Sequence, residues 1–517
     1  MHKTNITFRR KTGQFVPEPS LIAAGMLMTI FLSGLYAFSF GREIPVFPGA
    51  EGFGSTTPAG RGGTVIKVTT LAADGPGSLK EAVSTPGKRT IVFEVGGVID
   101  ARAGGPRFYD ITDPYCTIAG QTAPSPGITI LGSGFFITTH DILIRHIAVR
   151  LGDHPGQGNS GDGIVFLGSA GSNAANIVID HCSFSWATDK TISTWTFNCD
   201  GVTHDITMSN CIIAEALMCA NIHKEKCHSK GFLLGDGSQN ITIKACLFSD
   251  NWDRNPAIKG HTSSQIVNNV VYNPGEIAMV ITESSFCGSG AVKSSLIGNV
   301  LKSGTKTRLV KDCLIGFEGA LQSSGTSIYV ADNVGDTNFL YTSHPDWYPP
   351  RFDGEPPIPP EYSAATPQDA AWCEPMTVVP AEETYRYVLN NAGFRPIDGD
   401  STDKRIIKEV VTRTGMIIDS LNQLPDNGMP PIVGATRPFD VPQNHSEDDD
   451  GDGYTNLEEI LHQLAAQVEG EGRMLSLDAI NSSRTVPFGH RKWNPNRGLS
   501  AGVFPGGISG IEVFSAT

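Results

Sequence analysis

Several absences narrow this sequence before any motif is read. It has no long basic run, and 53 acidic residues outweigh 39 Lys and Arg, for a net charge of −14. A phosphate backbone is held by clustered cations, so nucleic acid is not an expected partner. No heptad pattern and no low-complexity tract occurs, which excludes a coiled coil or a disordered array. His146, His181 and His204 lack the spacing of a zinc motif, so metal-hydrolase chemistry of that kind is not expected. Aromatic residues are sparse at 8%. What is abundant is Gly, 58 residues, and Pro, 33, in a chain of 517. That balance suits a loop-rich β protein, and the length allows one large domain with appendages.

Only one long apolar run is present. His2, Lys3, Arg9, Arg10 and Lys11 precede an 18-residue apolar stretch, 21–38, and Ala37 and Ser39 offer small residues at a cleavage site. Residues 1–39 therefore read as a signal peptide, with a retained signal-anchor as the alternative, because 18 apolar residues can just span a bilayer. The expectation is a secreted, extracellular protein, monomeric, with no stable membrane association once the leader is removed. All ten cysteines lie between Cys116 and Cys373. Export permits disulfides. Cys199, Cys219 and Cys227 are the better candidates, while Cys182, Cys211 and Cys246 recur at one place in a repeat and read as a buried stack.

That repeat organises the chain. NIVIDHCSF from Asn176 returns as DITMSNCII from Asp205 and NITIKACLF from Asn240. It returns more loosely from Ser264, Ser295 and Thr326, at intervals of 29, 35, 24, 31 and 31 residues. A short β-branched strand, a small or amide residue at a corner and a second short strand cannot bury an inner face alone. Stacked coils can. The expected fold is all-β, a right-handed parallel β-helix spanning 44–345. GPGSLKEAV (75–83) reads as a turn into a short helix that would cover the first coil and shield its strand edges. A Pro-rich segment, 346–379, cannot form a ladder. Two helical stretches within 380–445, each ending near a Gly, predict a C-terminal helical extension. Residues 461–517 carry no assignable pattern.

Residues 446–460 hold an EF-hand-like loop. In DDDGDGYTNLEE (448–459), Asp448, Asp450 and Asp452 stand at positions 1, 3 and 5, Gly453 at 6 and Glu459 at 12. Alternate carboxylates in that frame converge on one Ca²⁺, and the Gly permits the sharp turn. Tyr454 would add its backbone carbonyl. A solvated acidic linker is the plain alternative. A single loop favours a structural over a sensing role.

Four pieces carry charged residues at coil-compatible spacing: Asp162 in SGDGIVFLG, Asp189 in WATDKTIS, Lys230 in HSKGFLLG, and Arg254 with Lys259 in DNWDRNPAIKG. Taken singly, each could be a turn, cap or surface residue. Together with VFPGAEGFG (46–54) and IDHCSFSW, they resemble the pectate lyase family of β-helical polysaccharide lyases. The resemblance implies that Asp162 and Asp189 hold a catalytic Ca²⁺, that Arg254 is the proton acceptor, that Lys230 is catalytic and that Lys259 binds substrate. Two departures stand out. Where the family has a further carboxylate, four residues after Asp189, this chain has Ser193. Where it often has a second arginine, this chain has Lys259, which keeps the charge and loses the bidentate fork. Asp180 and His181 match a family signature of structural character.

The chemistry implied is coherent. Galacturonate carries a C5 proton alpha to a carboxylate and a leaving oxygen at C4. Removing the proton builds negative charge on the carboxylate, which a hard cation and an ammonium would stabilise. Arginine is ordinarily always protonated, and cations beside it disfavour its charged form. The expected partner is therefore an acidic polysaccharide, polygalacturonate, and the expected cofactor is Ca²⁺. The alternatives are a lyase for methyl-esterified pectin, which would need no calcium, and a non-catalytic polysaccharide-binding β-helix. Asp110, Asp113 and Asp162 do not form the carboxylate cluster of a β-helical glycosidase. Trp186, Trp195 and Trp252 are either sugar platforms or packing residues.

Overall fold

The structure is a computed structural model. It describes residues 44–153, 161–169, 171–196, 202–220, 227–276, 278–283, 287, 290–304, 315–318, 325–335, 362–428 and 434–470. The leader at 1–39, residues 346–361 of the Pro-rich segment, Cys199 and the tail beyond 470 lie outside the described residues.

Three parallel sheets form a parallel β-helix. The first has ten described strands, from Thr64–Val68 to Ser327–Ala331. The second has eight, from Phe108–Ile111 to Ile315–Glu318. The third runs in parallel from Val95–Asp100 to Val334–Gly335, and Ala435–Thr436 pairs antiparallel with its first strand. Register explains why the repeat is apolar where it is. Ile118 pairs with Ile144, Ile144 with Ile179, Ile179 with Met208 and Met208 with Ile243, so like residues stack in one column. All five are fully buried in the main core. Each inner side chain is thus covered above and below by an equivalent one, the packing that a lone coil cannot supply.

The corners between first and third sheets fix the period. His181 (φ 45°), Asn210 (51°), Ala245 (55°) and Asn268 (54°) all adopt the left-handed conformation. Asn and Asp tolerate it best among non-glycine residues, which is why amides recur at the bend. The residue after each bend points inward. Cys182, Cys211 and Cys246 are buried free thiols there, as their repeat position predicted. The stack continues as an amide ladder: Asn269 Nδ2 donates to Asn299 Oδ1 at 3.0 Å, and Asn299 Nδ2 to Asn333 Oδ1 at 2.8 Å. Burying an unpaired amide costs about 1–3 kcal/mol, so the ladder is sustained only where every member is matched.

This column corrects the sequence frame. From Cys246 the inward residues are 23, 30 and 34 positions apart, at Asn269, Asn299 and Asn333. The strand-like starts at Ser264, Ser295 and Thr326 are out of step, because Ile243 pairs with Ile266, and Ile266 with Leu296. The corner, not the strand start, carries the register.

Helices close the exposed faces. Helix α1 (Leu79–Ser84), capped by Ser78, buries Leu79, Ala82 and Val83 against the main core at the first coil. Helix α2 (Pro367–Ala370) is a single turn. Helices α3 (Ala381–Asn391) and α4 (Ser401–Thr412) lay Tyr385, Val388, Leu389, Ile406 and Val410 on the outer face of the third sheet. Helix α5 (Asn456–Glu469), capped by Thr455, begins within the last positions of the acidic loop and runs on through 461–469. Its Leu457 and Leu461 pack on Val92 and Ala119. Its last residue, Glu469, meets Arg145 Nη2 at 2.6 Å, and Arg145 meets Asp180 at 2.8 Å, with His181 beside both carboxylates. The Asp180–His181 signature therefore ties the C-terminal helix to the coils. Cys219 and Cys227 form a disulfide. Among the described residues no helix is long and apolar enough to cross a membrane.

Candidate active site

The charged residues singled out in the sequence meet at the leading edge of the second sheet. Ile164 pairs with Ile192, so Asp162, two residues before Ile164, stands level with Lys190. Lys190 pairs with Lys230, and Lys230 bridges to Asp253. Asp162, Lys190, Lys230 and Asp253 thus form a column over four consecutive coils, flanked by Asp189 and Arg254. At about 4.8 Å per strand the column spans roughly 14 Å. Residues distant in sequence are neighbours because each coil delivers its edge residue to the same height.

Local sequence explains the placement. A Cβ at Gly163 would lie 2.9 Å from the Thr191 carbonyl of the next coil, and one at Gly231 would lie 2.6 Å from the Arg254 carbonyl. Glycine after Asp162 and after Lys230 lets adjacent coils close up around the site. Arg254 takes the left-handed conformation with φ 59° while its carbonyl accepts from Phe232 N at 2.6 Å, so the strand continues from a residue in an unusual backbone state. Its side chain is 30% exposed.

At the Asp162 end, both carboxylate oxygens are engaged. Ser193 Oγ donates to Oδ2 at 2.5 Å and Lys190 N donates to Oδ1 at 3.2 Å. Burial pushes the Asp162 carboxyl above the ordinary aspartate range, against the pull of Lys190, and the neighbouring Asp189 pushes it the same way. Asp189 Oδ2 lies 2.5 Å from Lys190 Nζ, and its Oδ1 lies 3.5 Å from His228 Nδ1. At the other end Lys230 Nζ donates to Asp253 Oδ2. The second Asp253 oxygen is buried, receives no hydrogen bond among the described residues, and lies 3.7 Å from Arg254 Nε. Burial raises the Asp253 carboxyl, while Lys230 and Arg254 lower it.

The structure thus brings Asp162, Asp189, Lys230 and Arg254 together. Lys259 follows the short strand Ala257–Ile258, five residues beyond Arg254, and its Nζ lies 3.5 Å from the Glu283 carbonyl. Sequence reasoning missed Lys190, His228 and Asp253. Each directly precedes or nearly abuts a residue it did name, and the signal available was charge adjacency in DK, HSK and DR. Trp186 is wholly buried and donates to Glu215, a packing role, whereas Trp195 sits half-buried on the outer face of the second sheet. In the acidic loop, carboxylate oxygens of Asp448, Asp450 and Asp452 lie within 4.8 Å of one another, and Glu459, on the first turn of α5, is outside that group.

A parallel β-helix with one charged sheet edge is the class these features define, and comparison with known proteins narrows it. No family model matches the chain. Over 439 residues it is 32% identical to "Probable pectate lyase C" of Aspergillus fumigatus, an alignment covering 82% of this chain and 88% of that one. It is 35% identical over 314 residues to the protein of the same name from Aspergillus oryzae, covering 59% of this chain and 66% of the relative, just short of two thirds of its length. A solved pectate lyase bound to a hexasaccharide is 16% identical, with a TM-score of 0.45 over 68% of this chain and 98% of that one. The major allergen from cedar pollen is 15% identical, with a TM-score of 0.43 over 66% and 92%. The chain belongs to the pectate lyase family.

Proposed function

We propose that this chain is a secreted, calcium-dependent lyase that cleaves (1→4)-α-D-galacturonan, pectate, by β-elimination to 4,5-unsaturated oligogalacturonides. The observation that carries the reading is the edge column of Asp162, Lys190, Lys230 and Asp253 on successive coils, flanked by Asp189 and the partly exposed Arg254. Lys230 and Lys259 attract the acidic chain, on a protein whose net charge of −14 otherwise repels it. Lys230, released from Asp253, holds the carboxylate of the reacting sugar. Arg254 acts in its neutral guanidine form, accepting the C5 proton to become guanidinium. The C5–H electron pair forms the C4–C5 double bond, the C4–O bond breaks with its pair leaving on oxygen, and water supplies the proton that completes the leaving hydroxyl.

Asp162 and Asp189 are the residues that would hold calcium. They fit a cation on the observation that both already face one, Lys190 Nζ, at 3.8 and 2.5 Å, and oxygen donors suit a hard ion. Bound there, calcium supplies electrostatic stabilisation of the charge that grows on the substrate carboxylate. The test is incubation with polygalacturonate, following ultraviolet absorbance of the unsaturated product. Activity should vanish with a chelator and return with added calcium, and Asp189→Ala should raise the calcium needed for half activity. Full activity in excess chelator would favour the methyl-esterified substrate instead, and no product under any condition would favour a binding module.

A second, structural calcium belongs to Asp448, Asp450 and Asp452, with Glu459 drawn in. Gly451 N and Gly453 N donate to Asp448 at 2.7 and 2.9 Å, so the loop already turns as such a site requires. A ligand at a hundred times its Kd stabilises a fold by about 2.7 kcal/mol. Asp450→Ala with Glu459→Ala should therefore lower Tm in calcium by a few degrees and leave turnover of folded protein intact. Lost turnover with unchanged melting would place the loop in the active site.

A further inference from the structure

Lys190, like His228, is a residue at the site that neither the motif pattern nor the proposed reaction uses. Its ammonium is 2.5 Å from Asp189 Oδ2 and 3.8 Å from Asp162 Oδ1, with the side chain only 12% exposed. Its own backbone N–H fixes Asp162 Oδ1 at 3.2 Å. The other Asp162 oxygen is taken by the Ser193 hydroxyl at 2.5 Å. The aspartate pair therefore carries an internal counterion, and the third position, where a carboxylate would add charge, is a neutral hydroxyl.

We propose that Lys190 is a tethered cation that occupies the aspartate pair, so that a divalent cation binds only by displacing it. The proposal rests on the calcium reading above and refines it. The two occupants compete. The ammonium, 2.5 Å from Asp189 Oδ2, uses an oxygen that a calcium ion would approach to about 2.3–2.6 Å, and its charge repels a dication placed between the two carboxylates. Counting Lys190, the pair presents one net negative charge to an incoming dication, where two aspartates alone would present two. The displaced ammonium has a place to go, because Lys190 Nζ already lies 6.0 Å from the Trp195 ring centroid, within reach of a cation–π contact. The acidic substrate would supply the negative charge that the free site lacks, so metal and substrate would bind cooperatively. Lys190 is thus a positioning and specificity residue, not a catalytic one.

Calcium affinity without substrate decides the matter. Calorimetric titration of the full chain with calcium chloride, in the Asp450→Ala, Glu459→Ala background to silence the acidic loop, compares the parent with Lys190→Met, Lys190→Gln and Lys190→Arg. Removing one positive charge a few ångströms from a dication should tighten binding by at least about tenfold in the Met and Gln variants. Lys190→Arg, which keeps the charge, should remain weak. The calcium-dependent gain in polygalacturonate affinity should shrink in the neutral variants. If calcium binds the parent and the neutral variants alike, Lys190 is an ordinary ion-pair partner and the proposal is wrong while the calcium reading stands. If Asp189→Ala leaves the titration unchanged and product forms in excess chelator, the calcium reading itself falls, and this proposal with it.

Discussion

Replacing Arg254 by lysine is expected to lower turnover at saturating polygalacturonate and calcium by at least about a hundredfold, with KM changed only a few-fold. Lysine keeps the charge but not the reach, and displacing a general base by an ångström costs on the order of a hundredfold. Arg254→Ala should lose at least as much. The backbone at this position is held by Phe232 N donating to the Arg254 carbonyl, a bond that either variant retains. Loss of turnover should therefore come without loss of fold, which circular dichroism and melting can check. Lys230→Ala should differ in kind and damage both KM and kcat, because its partner carboxylate is charged before and during the reaction. It would also leave Asp253 buried without its ammonium. The decisive comparison is turnover of folded Arg254→Lys and Arg254→Ala against the parent. If either keeps most of the parental rate, Arg254 is not the base.

Replacing Arg150 by methionine should destabilise the fold by about 3–5 kcal/mol at neutral pH, the cost of removing one partner from a buried ionic cluster. Arg150 is completely buried. Its Nη2 meets Asp403 Oδ1 at 2.7 Å and Asp400 Oδ1 at 3.0 Å, and its Nη1 donates to Ser183 Oγ at 2.7 Å. Asp400 in turn caps α4 by accepting Asp403 N at 2.9 Å. The cluster joins that helix to the third sheet, and methionine would leave both carboxylates without a cation.

The pH dependence follows from the sign of the shift. Burial already raises the Asp403 carboxyl above its ordinary value, in spite of Arg150, with Asp400 adding to the rise. A group whose folded pKa exceeds its unfolded one binds more protons in the native state, so its contribution to stability falls as pH rises. Without Arg150 the rise can only grow. The variant's deficit should therefore be largest near pH 8 and shrink as pH falls through the carboxylate range. Urea unfolding of both proteins at a series of pH values measures it. A deficit under about 1 kcal/mol, or one independent of pH, would mean that the helix is held by its apolar face alone.

Sequence by itself determined the β-helix. A β-branched strand ending in an amide or small residue, repeated at a coil's length, can bury its inner face only by stacking, so NIVIDHC, DITMSNC and NITIKAC state the architecture. The buried role of Cys182, Cys211 and Cys246 followed from the same periodicity. The helical character of the C-terminal region was legible on separate grounds, because caps and 3.6-residue spacing are local properties.

Only tertiary structure decided register and partnership. The later coils differ in length, and 23, 30 and 34 residues separate equivalent corners, so strand starts mislead while the Asn269–Asn299–Asn333 ladder fixes the frame. Which charge faces which depends on that frame. Lys190 looks like a surface residue beside Asp189, and Asp253 like a neighbour of Arg254. Both became part of the site because parallel pairing carries Lys190 onto Lys230 and Lys230 onto Asp253. The signature Asp180–His181 went the other way, into an ion-pair cluster with Arg145 and Glu469, the last residue of α5, across hundreds of residues. Local sequence specifies how each coil bends, whereas contacts between coils and with the C-terminal helices depend on the summed lengths of intervening loops, which no local pattern encodes.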